Sequence, residues 1–218
     1  MIEVRCGMGL GNRVAAMANG LSRSGQIRFV WRVNVHCPAG HTDLFPDGIP
    51  GVSFVDSAPP AIATRWGGAW CYEWHAAADR HAANLAYGLI MSAMVGTPMW
   101  RAPEVAILGR FHRNQHADPI ALADAAIRSH GKYRWDQAFV LSDLHRGAIA
   151  ARLGQAGFDA VLPESRELVA DLDRTRADVL DYACDWATVL SARRIIALDG
   201  PASALHPARA AGIEIIYA

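Results

Sequence analysis

Gly7-Met8-Gly9-Leu10-Gly11-Asn12-Arg13 stands between an apolar stretch, Ile2 to Arg5, and a helical run, Val14 to Ser22. Glycines at alternate positions let a chain turn sharply and bring its backbone close to a ligand, and the helix that follows offers unpaired N–H groups to an anion. The spacing is GxGxGNR; the dinucleotide pattern GxGxxG requires a third small residue where Asn12 stands. Asn12 and Arg13 add directed amide and guanidinium donors at a helix start, where the dipole already favours negative charge. Ile27 to Val33 (IRFVWRV) is β-branched and aromatic, as a buried strand is. The opening therefore reads strand, Gly-rich turn, helix, strand, and such a βαβ crossover implies a parallel sheet.

Composition bounds what this unit belongs to. The chain has 218 residues, is 52% hydrophobic, and carries 21 basic and 21 acidic side chains, enough apolar material for one large or two small domains. A formal net charge of zero argues against nucleic acid or an anionic membrane as the main partner. Cys6, Cys37, Cys71 and Cys184 are scattered, without a CxxC pair or zinc-finger spacing, so free thiols in a reducing cytoplasm are expected. Leu85 to Val95, the longest strongly apolar run, is too short to span a bilayer.

Along the chain, Asn34 to Pro46 is a Pro- and Gly-punctuated loop ending in an Asp-Leu-Phe-Pro turn, with His36 and His41 as loop histidines or acid/base candidates. Val52 to Val55 and Ala61 to Trp66 are strand candidates. Trp66, Trp70 and Trp74 suit either an aromatic cover for a core or a platform for a sugar ring. Asp79 stands at the start of a helix running to Met94, with Leu85, Leu89, Ile90 and Met94 on one stripe. Gly96 to Pro103, with two prolines and a glycine, reads as the linker between residues 1–98 and 99–218. The second half alternates again, with strands at Glu104 to Phe111, Gln137 to Ser142, Ala160 to Leu162, Arg194 to Leu198 and Glu214 to Tyr217. Helices are expected at Ile120 to Ser129, His145 to Gln155, Arg176 to Ala192 and up to Ala211. Each half thus resembles a small doubly wound α/β unit with a mainly parallel sheet.

Ligands of open α/β sheets collect at the carboxyl ends of strands. Polar groups gather there in the second half: Arg110, His112, Arg113 and Asn114 after its first strand, Ser142 and Asp143 after the next, and Asp199, Gly200 and Ser203 after a later one. Cationic donors, a carboxylate and a small-residue turn at a helix start are what a nucleotide diphosphate needs. Taken singly, Arg113 also suits a surface, Asp143 and Ser203 suit helix caps, and Asp185 suits an exposed helix face.

GMGLGNRVAAMANGLS, the WRVNVHC and DLFP stretch, ILGRFHRN, FVLSD and DWATVLSARRIIALDGPASALHPARAAG together resemble the bacterial nodulation fucosyltransferase and α1,6-fucosyltransferase group of GDP-fucose-dependent transferases. The resemblance implies a GT-B-like α/β fold, two small Rossmann-like halves facing a cleft, with residues 1–98 on the acceptor side and 99–218 on the donor side. It implies inverting, metal-independent fucosyl transfer to a glycan acceptor, with GDP-fucose or a similar nucleotide sugar as donor substrate and no further cofactor. By position, Arg113 and His112 serve catalysis at the β-phosphate. Gly9, Gly11, Asn12, Arg13, Arg110, Asn114, Asp143, Asp185, Gly200 and Ser203 bind the donor. The group's phosphate turn carries two adjacent arginines and an acid, whereas this chain has His112-Arg113 and Gln115. An imidazole stabilises a leaving phosphate less than a guanidinium does, which weighs on catalysis more than on binding.

The bare Asp171-Leu172-Asp173 resembles the DxD of metal-dependent transferases but lies in a polar helical stretch and is set aside. By exclusion, Glu73, His36, His41 and Asp43 are the general-base candidates. The alternative to an enzyme is a non-catalytic nucleotide-sugar-binding or interaction module on the same fold. A nicotinamide oxidoreductase fits poorly, because the second strand ends in Arg32-Val33-Asn34 without the acid that holds a ribose hydroxyl.

Overall fold

The structure, a computed structural model, describes residues 1–56, 80–95, 102–111, 116–163, 165–167, 174–198 and 205–218. The chain forms two units. The first comprises Met1–Val95, Asp171–Ala183 and Ser203–Ala211; the second comprises Gly96–Ala170, Cys184–Ala202 and Gly212–Ala218. Two later segments of the chain return to the first unit.

The first unit holds β1 (Ile2–Arg5), α1 (Leu10–Ser24), β2 (Ile27–Trp31), α2 (His41–Leu44), β3 (Val52–Asp56) and α3 (Arg80–Ala93). Its strands lie in the order β1-β2-β3, all parallel, with Val4, Phe29 and Phe54 in register. The βαβ crossover of the opening sequence is therefore present. α1 starts one turn earlier than its apolar run suggests, at the residue after Gly9, and ends at Gly25, whose left-handed φ of 66° lets its N–H reach Leu21 O at 2.8 Å. Gly20 faces the sheet so closely that a Cβ there would lie 2.7 Å from Val4 and 3.0 Å from Ile27. The strand expected at Ala61 to Trp66, the three tryptophans and Asp79 lie outside the described residues.

α3 packs on α1, and of the expected stripe Ile90 and Met94 are buried while Leu85 and Leu89 are not. Ala83, Ala86, Tyr87, Ile90 and Met94 are buried, while Leu85 is 63% and Leu89 36% exposed. Leu85 and Leu89 are one turn apart, a third of a turn away from the row of small side chains that lets two helix backbones approach.

The second unit holds β4 (Val105–Gly109), α4 (Pro119–His130), β5 (Gln137–Ser142), α5 (Arg146–Gln155), β6 (Asp159–Val161), β7 (Arg194–Ala197) and β8 (Glu214–Tyr217). α6 (Arg176–Ser191) belongs to the first unit as far as Ala183 and to the second from Cys184; α7 (His206–Ala210) belongs to the first. The five strands lie in the order β6-β5-β4-β7-β8, all parallel. All five residues of β4 are buried, as the central strand of a sheet covered on both faces requires. Val105, Ile107, Leu122, Trp135, Val140, Leu153 and Ile196 are among the core around it. Asp118 accepts a hydrogen bond from Ile120 N–H at 2.8 Å, and Pro119 opens the helix, so α4 starts where its cap and proline demand.

This strand order carries a topological consequence. From β4 the chain winds outward through β5 to β6, then resumes on the opposite side of β4 with β7 and β8. The switch point lies between β4 and β7, where such sheets open a ligand crevice at the carboxyl ends.

The Gly20→Val variant is expected to lose about 1–3 kcal/mol through overpacking against β1 and β2. Gly88→Ala, in open space on α3, is expected to gain about 0.5–1 kcal/mol through helix propensity. Urea unfolding midpoints of the two variants, measured side by side, check both signs.

Candidate functional site

In the first unit the site is built around Arg13. Its residue is fully buried, with a relative exposure of 0%. Nε donates to Met8 O at 2.7 Å, and Nη2 donates to Arg32 O at 2.7 Å and to Asn34 Oδ1 at 3.3 Å. The guanidinium lies over the Trp31 ring, 4.5 Å from its centroid. Burial lowers the Arg13 pKa, with the Cys37 and Cys6 thiols opposing; the same burial raises that of Cys37. Asn34 completes the arrangement. Its Oδ1 also accepts from His36 N–H at 3.0 Å and Cys37 N–H at 3.1 Å, and its Nδ2 donates to Gly7 O at 2.8 Å. Arg13 and Asn34 therefore fasten the Gly-rich turn to the loop after β2 through its own carbonyls.

Gly9 is the N-cap of α1, which has no side-chain cap and no acidic residue in its first turn. A Cβ on Gly9 would lie 3.5 Å from an Arg174 guanidinium nitrogen and 3.6 Å from His36 O, ordinary contact distances. Gly11 and Asn12 follow in the first helical turn, Asn12 9% exposed. Sequence reasoning found the turn but missed Asn34 and Arg174; an Asn two residues before a backbone N–H it can accept was the available signal.

Asp43 is the second fixed point of this unit. Arg176 donates Nε to Oδ2 at 2.9 Å and Nη2 to Oδ1 at 2.6 Å, and Gly40 N–H donates to Oδ2 at 2.8 Å. Arg176 first, and Gly40 after it, hold the Asp43 carboxyl below its ordinary range.

In the second unit, Arg110 is half-buried one residue past β4, and Asp143 stands one residue past β5. Asp143 Oδ1 accepts from Phe111 N–H at 2.8 Å, while its own N–H donates to Gly109 O at 3.2 Å. Asp143 thus fixes the first residues of the segment that leads into His112. The strand ends are close: a Cβ on Gly109 would meet Ser142 Oγ and lie 2.7 Å from the Phe111 ring. His145 follows with φ 64°, the one non-glycine residue in the left-handed region among the described residues, and its ring stands edge-on to Phe111 at 5.1 Å.

Asp185 is buried, 2% exposed, and not on an open helix face. Its Oδ2 accepts from Ser165 Oγ. Arg146, 7% exposed, donates Nε to Ser142 O at 2.6 Å and Nη1 to Ser165 O, and Nη2 reaches Ser165 Oγ at 3.4 Å. Glu167 Oε1 accepts from Arg146 N–H at 2.6 Å. Burial lowers the Arg146 pKa, and Asp185, Glu167 and Asp143 act against it. This buried network ties the end of β5 to residues 165–167, and neither Arg146 nor Ser165 was legible in the sequence as part of it. His112, Arg113, Asn114, Gly200 and Ser203 lie outside the described residues. Among the described residues, no three His, Cys, Asp or Glu side chains form a metal-binding group, and no helix is long and apolar enough to cross a membrane.

The fold is fucosyltransferase-like α/β. A solved structure of NodZ α-1,6-fucosyltransferase soaked with GDP-fucose matches with a TM-score of 0.60 and 12% identity, over 99% of this chain and 94% of that one. The same enzyme co-crystallised with GDP matches with a TM-score of 0.60 and 13% identity, over 99% and 93%. A selenomethionine form of fucosyltransferase NodZ from Bradyrhizobium gives 0.58 and 12%, over the same shares. No family model matches the chain, and no curated protein matches it in sequence.

Replacing Arg13 by Met is expected to cost about 2–4 kcal/mol, since three hydrogen bonds from a buried cation disappear and their acceptors stay buried; chemical denaturation measures it. Asp43 gives a pH signature. Its folded pKa lies below the unfolded one, so the stabilisation is complete above about pH 4 to 5 and fades as pH falls through the folded value. The difference in melting temperature between the wild type and Asp43→Asn is therefore expected to shrink steadily as pH is lowered from 5 to 2.

Proposed function

We propose that the chain is a glycosyltransferase that moves a sugar, with fucose as the leading choice, from its GDP ester to a glycan hydroxyl, with inversion and without a metal, in the cytoplasm. The observation that carries the reading is the switch point between β4 and β7. The segments that leave these two strands are Arg110 to Asn114 and Asp199 to Ser203, the stretches with the residue types a diphosphate requires. The likeness to NodZ structures obtained with GDP-fucose and GDP supports the same donor.

The chemistry asked of these residues is simple. As the bond between the sugar and the β-phosphate breaks, negative charge develops on the leaving GDP, and the guanidinium of Arg113 stabilises it where a metal would otherwise stand. Asp143 contributes by holding the start of that segment through Phe111 N–H. Gly9 and the N–H groups at the start of α1 serve the acceptor side.

His112, standing where the resembling group has an arginine, favours the second reading, a nucleotide-sugar-binding module without transfer. Calorimetric titration of the purified chain with GDP, ADP and UDP, without added metal, is the first test. Selective GDP binding that Arg113→Ala abolishes is the expected result. Equal affinity for all three nucleotides, or unchanged affinity in the variant, would sink the donor assignment. Release of GDP from GDP-fucose then separates the enzyme from the module.

A further inference from the structure

We infer that His145 is a residue of the second unit that holds the nucleobase of the donor; this rests on the nucleotide-sugar reading above and names a contact it leaves open. Every group on which the inference is built belongs to the second unit.

The backbone sets the position. His145 has φ 64° and ψ 21°, the left-handed region, where a Cβ crowds the following carbonyl and glycine or asparagine is the usual occupant. Such a residue persists only when its surroundings hold it there. Before it, Asp143 N–H donates to Gly109 O at 3.2 Å, Asp143 Oδ1 accepts from Phe111 N–H at 2.8 Å, and Ser142 Oγ donates to Leu144 O. After it, Arg146 N–H donates to Glu167 Oε1 at 2.6 Å, and Arg146 Nε donates to Ser142 O at 2.6 Å. The turn over residues 142–146 is therefore tied on both sides of His145.

What this turn displays is an aromatic ring. His145 is exposed, and its ring stands edge-on to Phe111, centroids 5.1 Å apart and planes at 89°. Phe111 itself is buried, with its N–H held by Asp143. A Cβ on Gly109 would lie 2.7 Å from the Phe111 ring and closer still to Ser142 Oγ, so the ends of β4 and β5 are packed as closely as glycine allows. The imidazole is braced against a ring that has no room to retreat. Glycine would make the same turn with less strain and would display no ring.

Location gives the ring its ligand. β5 is the strand beside β4 on the side away from the switch point. In doubly wound sheets that bind nucleotides, the turn after the central strand meets the diphosphate, and the end of the next strand meets the nucleoside. Here the turn after β4 begins with Arg110, a charge suited to phosphate, while the end of β5 carries Asp143 and the exposed imidazole. An imidazole has a flat face on which a base stacks, and ring nitrogens that donate and accept at its rim. A purine, with two fused rings, has more face to lay against it than a pyrimidine has.

The test is calorimetric titration of the full chain, as wild type, His145→Gly and His145→Asn, with GDP and with UDP, beside urea unfolding of each protein. Both replacements take the left-handed conformation readily, so unfolding midpoints at or above that of the wild type are expected. GDP affinity is expected to fall about tenfold in both, and UDP affinity by clearly less, so that the preference for GDP shrinks. Affinity that falls while stability holds or rises is a result a merely structural histidine does not give. GDP affinity unchanged in both variants, or an equal loss for GDP and UDP, overturns the role, and so does a loss of affinity that tracks a lowered midpoint. If the wild type binds neither nucleotide, or both equally, the donor reading itself fails and this contact falls with it. Selective GDP binding that both variants keep leaves that reading standing and removes His145 alone.

Discussion

A fully buried guanidinium with no carboxylate among its hydrogen-bond partners in the described residues is the heaviest constraint in the first unit. Removing a charge of this size from water costs several kcal/mol. Hydrogen bonds from a charged donor return about 1.5–3 kcal/mol each, so Arg13 is tolerated only because Met8 O, Arg32 O and Asn34 Oδ1 meet it together. Those acceptors belong to the turn after β1 and the loop after β2. The conformation of the Gly-rich turn, the entry angle of α1 and the path toward His36 and Cys37 therefore share one origin. Arg13 and Asn12 were expected to reach a donor; the structure shows Arg13 shaping the turn that presents Gly9 and the first N–H groups of α1.

A parallel logic operates in the second unit. Asp143 clasps Phe111 N–H, and Arg146 clasps Ser142 O and the 165–167 segment, so the strand ends beside the switch point are held by side-chain-to-backbone bonds. Buried charge is used in both units to position loops. Asp185, buried against Ser165 and facing Arg146's field, belongs to this support and was legible in the sequence only as a lone carboxylate on a helix. The left-handed His145 adds a strained residue at the same strand end.

Local chemistry explains why so much of the fold was legible. Apolar β-branched runs, Gly25 after α1, and Asp118-Pro119 before α4 mark element ends without help from the rest of the chain, and the βαβ spacing forces parallel pairing. The α3 stripe was legible only in part: Ile90 and Met94 are buried as their spacing suggests, whereas Leu85 and Leu89 are exposed and Ala83 and Ala86 are buried in their place. Partner shape is absent from a single segment's pattern.

By itself, the sequence determined the alternation of strands and helices, the Gly-rich turn and the clustering of donor-type residues after strands, because each depends on neighbours a few positions away. Only the tertiary structure decided which side chains those residues meet. The pairing of Arg13 with Asn34 and of Asp43 with Arg176 joins positions well apart in the chain. Whether a polar group faces a ligand, a backbone carbonyl or another charge follows from burial and geometry, which folding alone establishes.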